Sequence, residues 1–168
     1  MLTRKQFYKL LPVACDWAEK QERYIIEHGV PLNNDQQFDA HLIGIKEINK
    51  VRLLKVDKIP APSIPELKRA TELTGLLSSN ARGVTFRFGI YIKKDFWNQR
   101  SLVVHELSHT MQYERLGGFK PFLEQYLNEC ITVGYPNGSL EQEAIRIEKE
   151  IYAYHHIYNI TDTKKIKP

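Results

Sequence analysis

The chain has 168 residues, 42% of them hydrophobic and 26% charged, an ordinary balance for one soluble domain able to bury a core. Its net charge of +4 and pI near 9.0 come without a dominant basic stripe, so nucleic acid and membrane are not expected partners. Two cysteines exclude a disulfide framework, no run approaches the ~18 apolar residues of a membrane span, and the polar opening Met1-Leu-Thr-Arg-Lys-Gln6 has no signal-peptide core; cytoplasm is the expected location.

Thr3 is placed to cap a short first helix that Pro12 interrupts or restarts. Residues 13–28 read as an amphipathic helix with Val13, Trp17, Tyr24 and Ile25 inward and Gly29 as its stop. After a turn at Pro31 to Asn34, Asp35 begins a second helix with Phe38, Leu42 and Ile43 inward, ended by Gly44. Val51 to Val56 is a strand. The prolines of Ile59-Pro-Ala-Pro-Ser-Ile-Pro65 forbid regular pairing and mark an ordered crossing loop, with Pro65 suited to the first turn of a helix ending near Thr74.

Gly75 to Gly83 reads as a loop, and Val84 to Ile92 as the best strand in the chain. Its alternation sends Phe86, Phe88, Ile90 and Ile92 one way and Thr85, Arg87 and Tyr91 the other. The strand ends 13 residues before His105.

The stretch 101–116 predicts a helix capped by Asn98 and ended by Gly117-Gly118. It carries His105, Glu106 and His109, the H-E-x-x-H pattern. Residues four apart in a helix lie about 40° apart around its axis, so both imidazoles reach one metal ion. Glu106 sits beside them, placed to take a proton from an activated water. The helix is apolar on other sides through Val103, Val104, Leu107 and Met111, so two histidines on it need partners, and a metal satisfies both.

Phe119 to Cys130 is a further helix with Phe122, Leu123, Tyr126, Leu127 and Cys130 inward; Cys15 and Cys130 read as buried free thiols. Gly134 to Gly138 is a tight loop, and Ser139 with Gln142 fits a capping box opening the last helix. A catalytic zinc takes three protein ligands and keeps one position open. The last helix has an apolar stripe of Leu140, Ala144, Ile147, Ile151, Tyr154 and Tyr158, with Glu143 about 40° from Ile147. Glu143 is therefore preferred as the third ligand. Glu141, which projects toward Ile145, Glu148 and Tyr152, is the alternative. His155 and His156 lie too far along this helix to share the ion and read as surface residues, and Lys164, Lys165 and Lys167 form a basic tail.

His105-Glu-Leu-Ser-His-Thr-Met-Gln-Tyr-Glu-Arg-Leu-Gly117 resembles the H-E-L-x-H-x-x-Q-Y-x-R-x-G signature of uncharacterised bacterial zinc metallopeptidases. These are related to the peptidase domain found with extracellular contractile injection systems. The resemblance extends through Gly83 to Tyr91, Tyr126, Gly134-Tyr-Pro and Leu140-Glu-Gln-Glu-Ala144, and more weakly through Val30-Pro-Leu and Val51-Arg-Leu-Leu54. It implies a glutamate-type zincin: His105, His109 and Glu143 as zinc ligands, Glu106 as general base, and an α+β, mostly helical fold with a small sheet beside the metal helix. The expected organisation is one domain over 1–168, with a helical N-terminal part and one strand over 1–58, a metal-site core over 84–158 and a flexible tail over 159–168.

The expected function is zinc-dependent hydrolysis of peptide bonds in a peptide or protein substrate; the alternative is a metal-stabilised binding module or adaptor that turns nothing over. Tyr91, Tyr113 and Tyr135 are candidates to steady the oxyanion, and Gln112 and Thr110 to support the ligands.

Overall fold

The structure, a computed structural model, describes residues 4–74 and 80–164. Within them six helices surround a four-stranded mixed sheet, an α+β and mostly helical arrangement. The helices are α1 (Arg4–His28), α2 (Asn34–Ile43), α3 (Pro65–Thr74), α4 (Arg100–Leu116), α5 (Phe119–Thr132) and α6 (Ser139–Lys164). The strands are β1 (Val30–Pro31), β2 (Arg52–Val56), β3 (Gly83–Phe86) and β4 (Gly89–Lys93), in the order β1-β2-β4-β3. β2 and β4 are parallel, a pairing that needs a crossover. The proline stretch and α3 belong to that crossover, with Ile59 and Pro62 buried along the way.

Each face of the sheet buries its own apolar cluster. Leu53, Ile90 and Ile92 pack with Val103 and Leu107 of α4 and Ala40 of α2. Val84, Phe86 and Tyr91 pack with Leu11, Ala18 and Ile25 of α1 and with Phe122 and Leu123 of α5. α4 is thus held against the sheet, with β3 at the sheet's outer edge beside it.

Residues 84–92, expected as one strand, form a hairpin instead. β3 turns at Arg87-Phe88 and returns as β4, pairing Phe86 with Gly89, Thr85 with Ile90 and Val84 with Tyr91. The turn reassigns the faces, so Thr85 shares the α4 side with Ile90, while Phe86 shares the α1 side with Tyr91. Arg87 has φ 55°, a conformation costly for a residue with a Cβ. Glu22 of α1 offsets that cost: its buried carboxylate accepts two bonds from the Arg87 guanidinium, at 2.8 and 2.7 Å, and one from the Phe88 N–H. Gly89 lets the turn close on α1, because a Cβ there would stand 2.9 Å from that of Ile25.

Other expectations shift with the packing. Pro12 does not break α1, whose buried side of Phe7, Leu11, Ala14, Cys15, Ala18 and Ile25 runs past it unbroken. Tyr24 is 52% exposed rather than inward, and stacks on His28. In α2, Phe38 and Leu42 lie outside, at 45% and 38% exposure, while Asp39 and Ala40 are buried. Arg100 draws Asp39 inward with two bonds of 2.8 Å, and His155 of α6 adds a third contact at 2.8 Å, so His155 is a tie between helices rather than a surface residue. Residues 159–164, expected in a flexible tail, continue α6; Thr3, Lys165 and Lys167 lie outside the described residues, as does most of the expected 75–83 loop.

Candidate metal centre

α4 begins after Gln99, not at Asn98, and ends at Gly117, whose φ of 94° is the left-handed stop expected there. Its motif faces α6. His105 Nε2 lies 3.3 Å from Glu141 Oε1, and His109 Nε2 lies 3.4 Å from Glu141 Oε2. One carboxylate therefore spans both imidazoles. His105, His109 and Glu141 each present a ligand atom, all within 4.8 Å of one another.

The expected position of Glu143 is corrected: Glu141, not Glu143, groups with the two histidines. Glu143 is not at the imidazoles: Arg115 binds both of its oxygens at 2.6 Å, and Gln112 donates to it at 2.8 Å. These partners hold its carboxyl below the usual carboxylate range, with Arg115 the larger cause. Both glutamates flank the stripe centred on Ala144 and Ile151, at about 70° for Glu141 and about 90° for Glu143 on a helical wheel. Their angles alone therefore do not separate them. The crossing of α6 over α4 does, by presenting the Glu141 edge to the motif and the Glu143 edge to the end of α4. Glu141 is only 4% exposed.

α6 is inserted there by a cap from its neighbour. The expected Ser139–Gln142 box does not form. Glu129 of α5 accepts bonds from Ser139 Oγ and from the Leu140 N–H, and Gln142 turns to the Pro136 carbonyl. Gly138 makes room, since a Cβ on it would come 2.7 Å from Glu129.

Side chains behind the imidazoles fix their orientation. His109 Nδ1 is 2.8 Å from Gln112 Oε1, and the Gln112 amide donates to the Leu140 carbonyl, so this buried glutamine aims the ring at Glu141. His105 Nδ1 lies 3.4 Å from Glu148 Oε2. Glu148 was not singled out from the sequence, although it sits two helical turns beyond Glu141 on one side of α6. Thr110, by contrast, bonds the Arg87 carbonyl and anchors α4 to the hairpin turn.

Glu106 is buried against β3. Thr85 Oγ1 lies 2.7 Å from its Oε2 and 2.9 Å from its backbone carbonyl. Gly83 lies against the other oxygen so closely that a Cβ there would sit 2.7 Å from Oε1. Burial raises the Glu106 carboxyl above its usual pKa, the nearby histidines acting in the opposite sense. For His105, burial works against the proton, yet the Glu141 contact and the charges of Glu106 and Glu148 outweigh it and push the imidazole up to about 9. For Glu141, burial favours the proton, but both imidazoles outweigh it and hold the carboxyl far below its usual range. Tyr126 also donates to Glu141, at 2.8 Å.

These groups open into a cleft of about 430 Å³ lined by His105, Glu106, His109, Glu141 and Glu148, with β3 as one wall. Of the candidate oxyanion donors, Tyr91 and Tyr113 are 1% exposed and engaged, with Gln21 and with the Thr85 carbonyl. Tyr135 is 51% exposed and lines the cleft; burial, the Glu141 charge and a hydrogen bond to that carboxylate raise its hydroxyl to about 12, keeping it a donor. No helix of the described residues is long and apolar enough to cross a membrane. No protein-family model matches the chain, and no curated protein or solved structure matches it.

Proposed function

We propose that the chain is a metal-dependent peptide hydrolase of zincin-like design, with zinc held by His105, His109 and Glu141. The observation that carries this reading is the convergence of those three ligand atoms within 4.8 Å, beside the buried carboxylate of Glu106. The donor set fits the ion: two imidazole nitrogens and one carboxylate are a catalytic zinc triad that leaves a fourth position for water. Glu141 already faces the Nε2 atoms, and the opposite ring nitrogens already have Gln112 and Glu148 beside them.

Zinc bound there supplies Lewis acidity, making a water acidic and polarising the scissile carbonyl. Glu106 takes the proton released as the water oxygen bonds to the carbonyl carbon, then gives it to the amine nitrogen as the C–N bond breaks. Tyr135 is placed to donate to the developing oxyanion.

β3 supports binding of an extended peptide. The bond from the Lys93 N–H to the Arg82 carbonyl sets the ladder so that the main-chain groups of Gly83 and Thr85 point away from β4. The Thr85 carbonyl already has the Tyr113 hydroxyl at 3.5 Å, so Gly83 is the position for a substrate main chain.

The test is a peptide-library digest by zinc-loaded wild type and Glu106→Gln. The expected result is cleavage by wild type, loss of at least about a thousandfold in Glu106→Gln, and zinc retained in both. Full zinc loading with no cleavage by wild type would instead identify a metal-stabilised binding module.

A further inference from the structure

We infer that the apolar end of the cleft is a side-chain pocket selecting peptides with a large apolar residue beside the scissile bond, and that Trp17, Phe86 and Leu123 set this preference. The inference rests on the peptide-hydrolase reading and adds the substrate class.

Besides the histidines and Glu106, the cleft is lined by an apolar group of Trp17, Val84, Phe86, Phe122 and Leu123, which pack together in one core cluster. This apolar wall starts one side chain from the reacting groups. The Phe122 ring centroid is 6.1 Å from that of His109, and Phe86 directly follows Thr85, which holds Glu106. β3 thus turns one residue toward the general base and the next toward α1, where Phe86 meets Trp17 edge-on at 5.3 Å.

Behind that wall lies a second cavity of about 50 Å³ between α1, α3 and α5. Trp17, Phe86 and Leu123 line both spaces. Its other walls, such as Phe7, Leu11 and Leu67, are apolar, and the Thr71 hydroxyl in it already donates to the Lys68 carbonyl. A side chain entering from the cleft therefore meets apolar surface with spare room beyond.

Among the described residues, the charged groups lining the cleft are Arg82, Glu106, Glu141 and Glu148, and none of them belongs to the apolar group. A charged side chain in the apolar end, acidic or basic, would be stranded there without a partner. Burial of a Leu or Phe side chain favours such peptides over Ala by about ten- to hundredfold.

The experiment maps cut sites in a mixed peptide library with the zinc-loaded full chain. Phe, Leu, Tyr or Met at one position flanking the cut, at least about tenfold over Ala or Asp, is the expected result. Cleavage with no such preference overturns the pocket and leaves the hydrolase reading intact. Absence of any cleavage counts against the hydrolase reading instead, and a binding measurement then decides the pocket. Phenylalanyl and glycyl hydroxamates are titrated into zinc-loaded Glu106→Gln, with Trp17 fluorescence as signal and Trp17→Phe as control. Tighter binding of the phenylalanyl probe supports the pocket; equal affinities overturn it. Leu123→Trp, which fills the shared wall, should erase the preference ratio, and Trp17→Ala provides a second variant if that chain does not fold.

Discussion

Glu141 and Glu143 stand two residues apart at the start of α6, yet one carboxylate spans the imidazoles of His105 and His109 while the other is clasped by Arg115. Substitution separates their roles. Glu141→Gln should weaken zinc binding by more than about a hundredfold, since it removes the proposed carboxylate ligand. Glu143→Gln reaches the site only through Gln112 and His109, and should cost less than about tenfold. Competition with a chromophoric chelator measures both; equal losses would contradict the assignment.

Metal binding should be coupled to protons. His105 is held protonated up to about 9 in the metal-free chain, by Glu141, Glu106 and Glu148 against the effect of its burial. Zinc takes only the neutral imidazole, so near pH 7 binding should release a proton and affinity should rise about tenfold per pH unit, levelling off near pH 9. Calorimetry in buffers of different ionisation enthalpy reads the released proton directly.

The same pairing gives the metal-free chain a pH-dependent stability. The His105 contribution, from a raised pKa, is complete below its unfolded value of about 6.5 and is lost as pH rises through about 9. The Glu141 contribution, from a depressed pKa, is present above its unfolded value of about 4.5 and is lost as pH falls. Thermal melts of chelator-treated protein should show a higher Tm at pH 6 than at pH 10, and zinc should reduce that difference.

Gly83 is required by its neighbour rather than by its backbone. A methyl group there collides with Glu106 Oε1 at 2.7 Å. Gly83→Ala should displace the carboxylate and lower kcat by about a hundredfold, with zinc content unchanged. Loss of zinc in that variant would show a wider disturbance.

Glu129 holds α6 where Glu141 needs it. Its carboxylate accepts from Ser139 and Leu140 at the helix start, the service an N-cap usually performs. Glu129→Ala should lower stability by about 1 kcal/mol, read from denaturant midpoints. It should also weaken zinc binding more than an equally destabilising change in α3, because the cap positions the proposed ligand Glu141.

Much of the fold was legible because it rests on local chemistry. Gly44 and Gly117 stop helices in left-handed conformations, Pro65 opens α3, and the stretch Val51 to Val56, β-branched at both ends, yields the strand Arg52–Val56. The spacing of His105 and His109 is local too, and the chain puts them where the helix wheel does. What the sequence did not disclose depends on distant partners. Arg87-Phe88 reads as mid-strand until Glu22, from α1, is seen holding the turn. Phe38 reads as core until Arg100 draws Asp39 inward and rotates α2. Glu141 and Glu143 are nearly equivalent on the wheel, and only the crossing of α6 over α4 chooses between them. Arg115, in the last turn of α4, was the available signal: a cation there gives Glu143 a partner and frees Glu141 for the cleft.

The most direct measurement is anomalous diffraction at the zinc edge from crystals of the zinc-loaded chain. The account predicts one strong peak about 2.0–2.2 Å from His105 Nε2, His109 Nε2 and a Glu141 oxygen, with Glu143 still on Arg115. A peak coordinated by Glu143, or no peak between the two imidazoles, would contradict it.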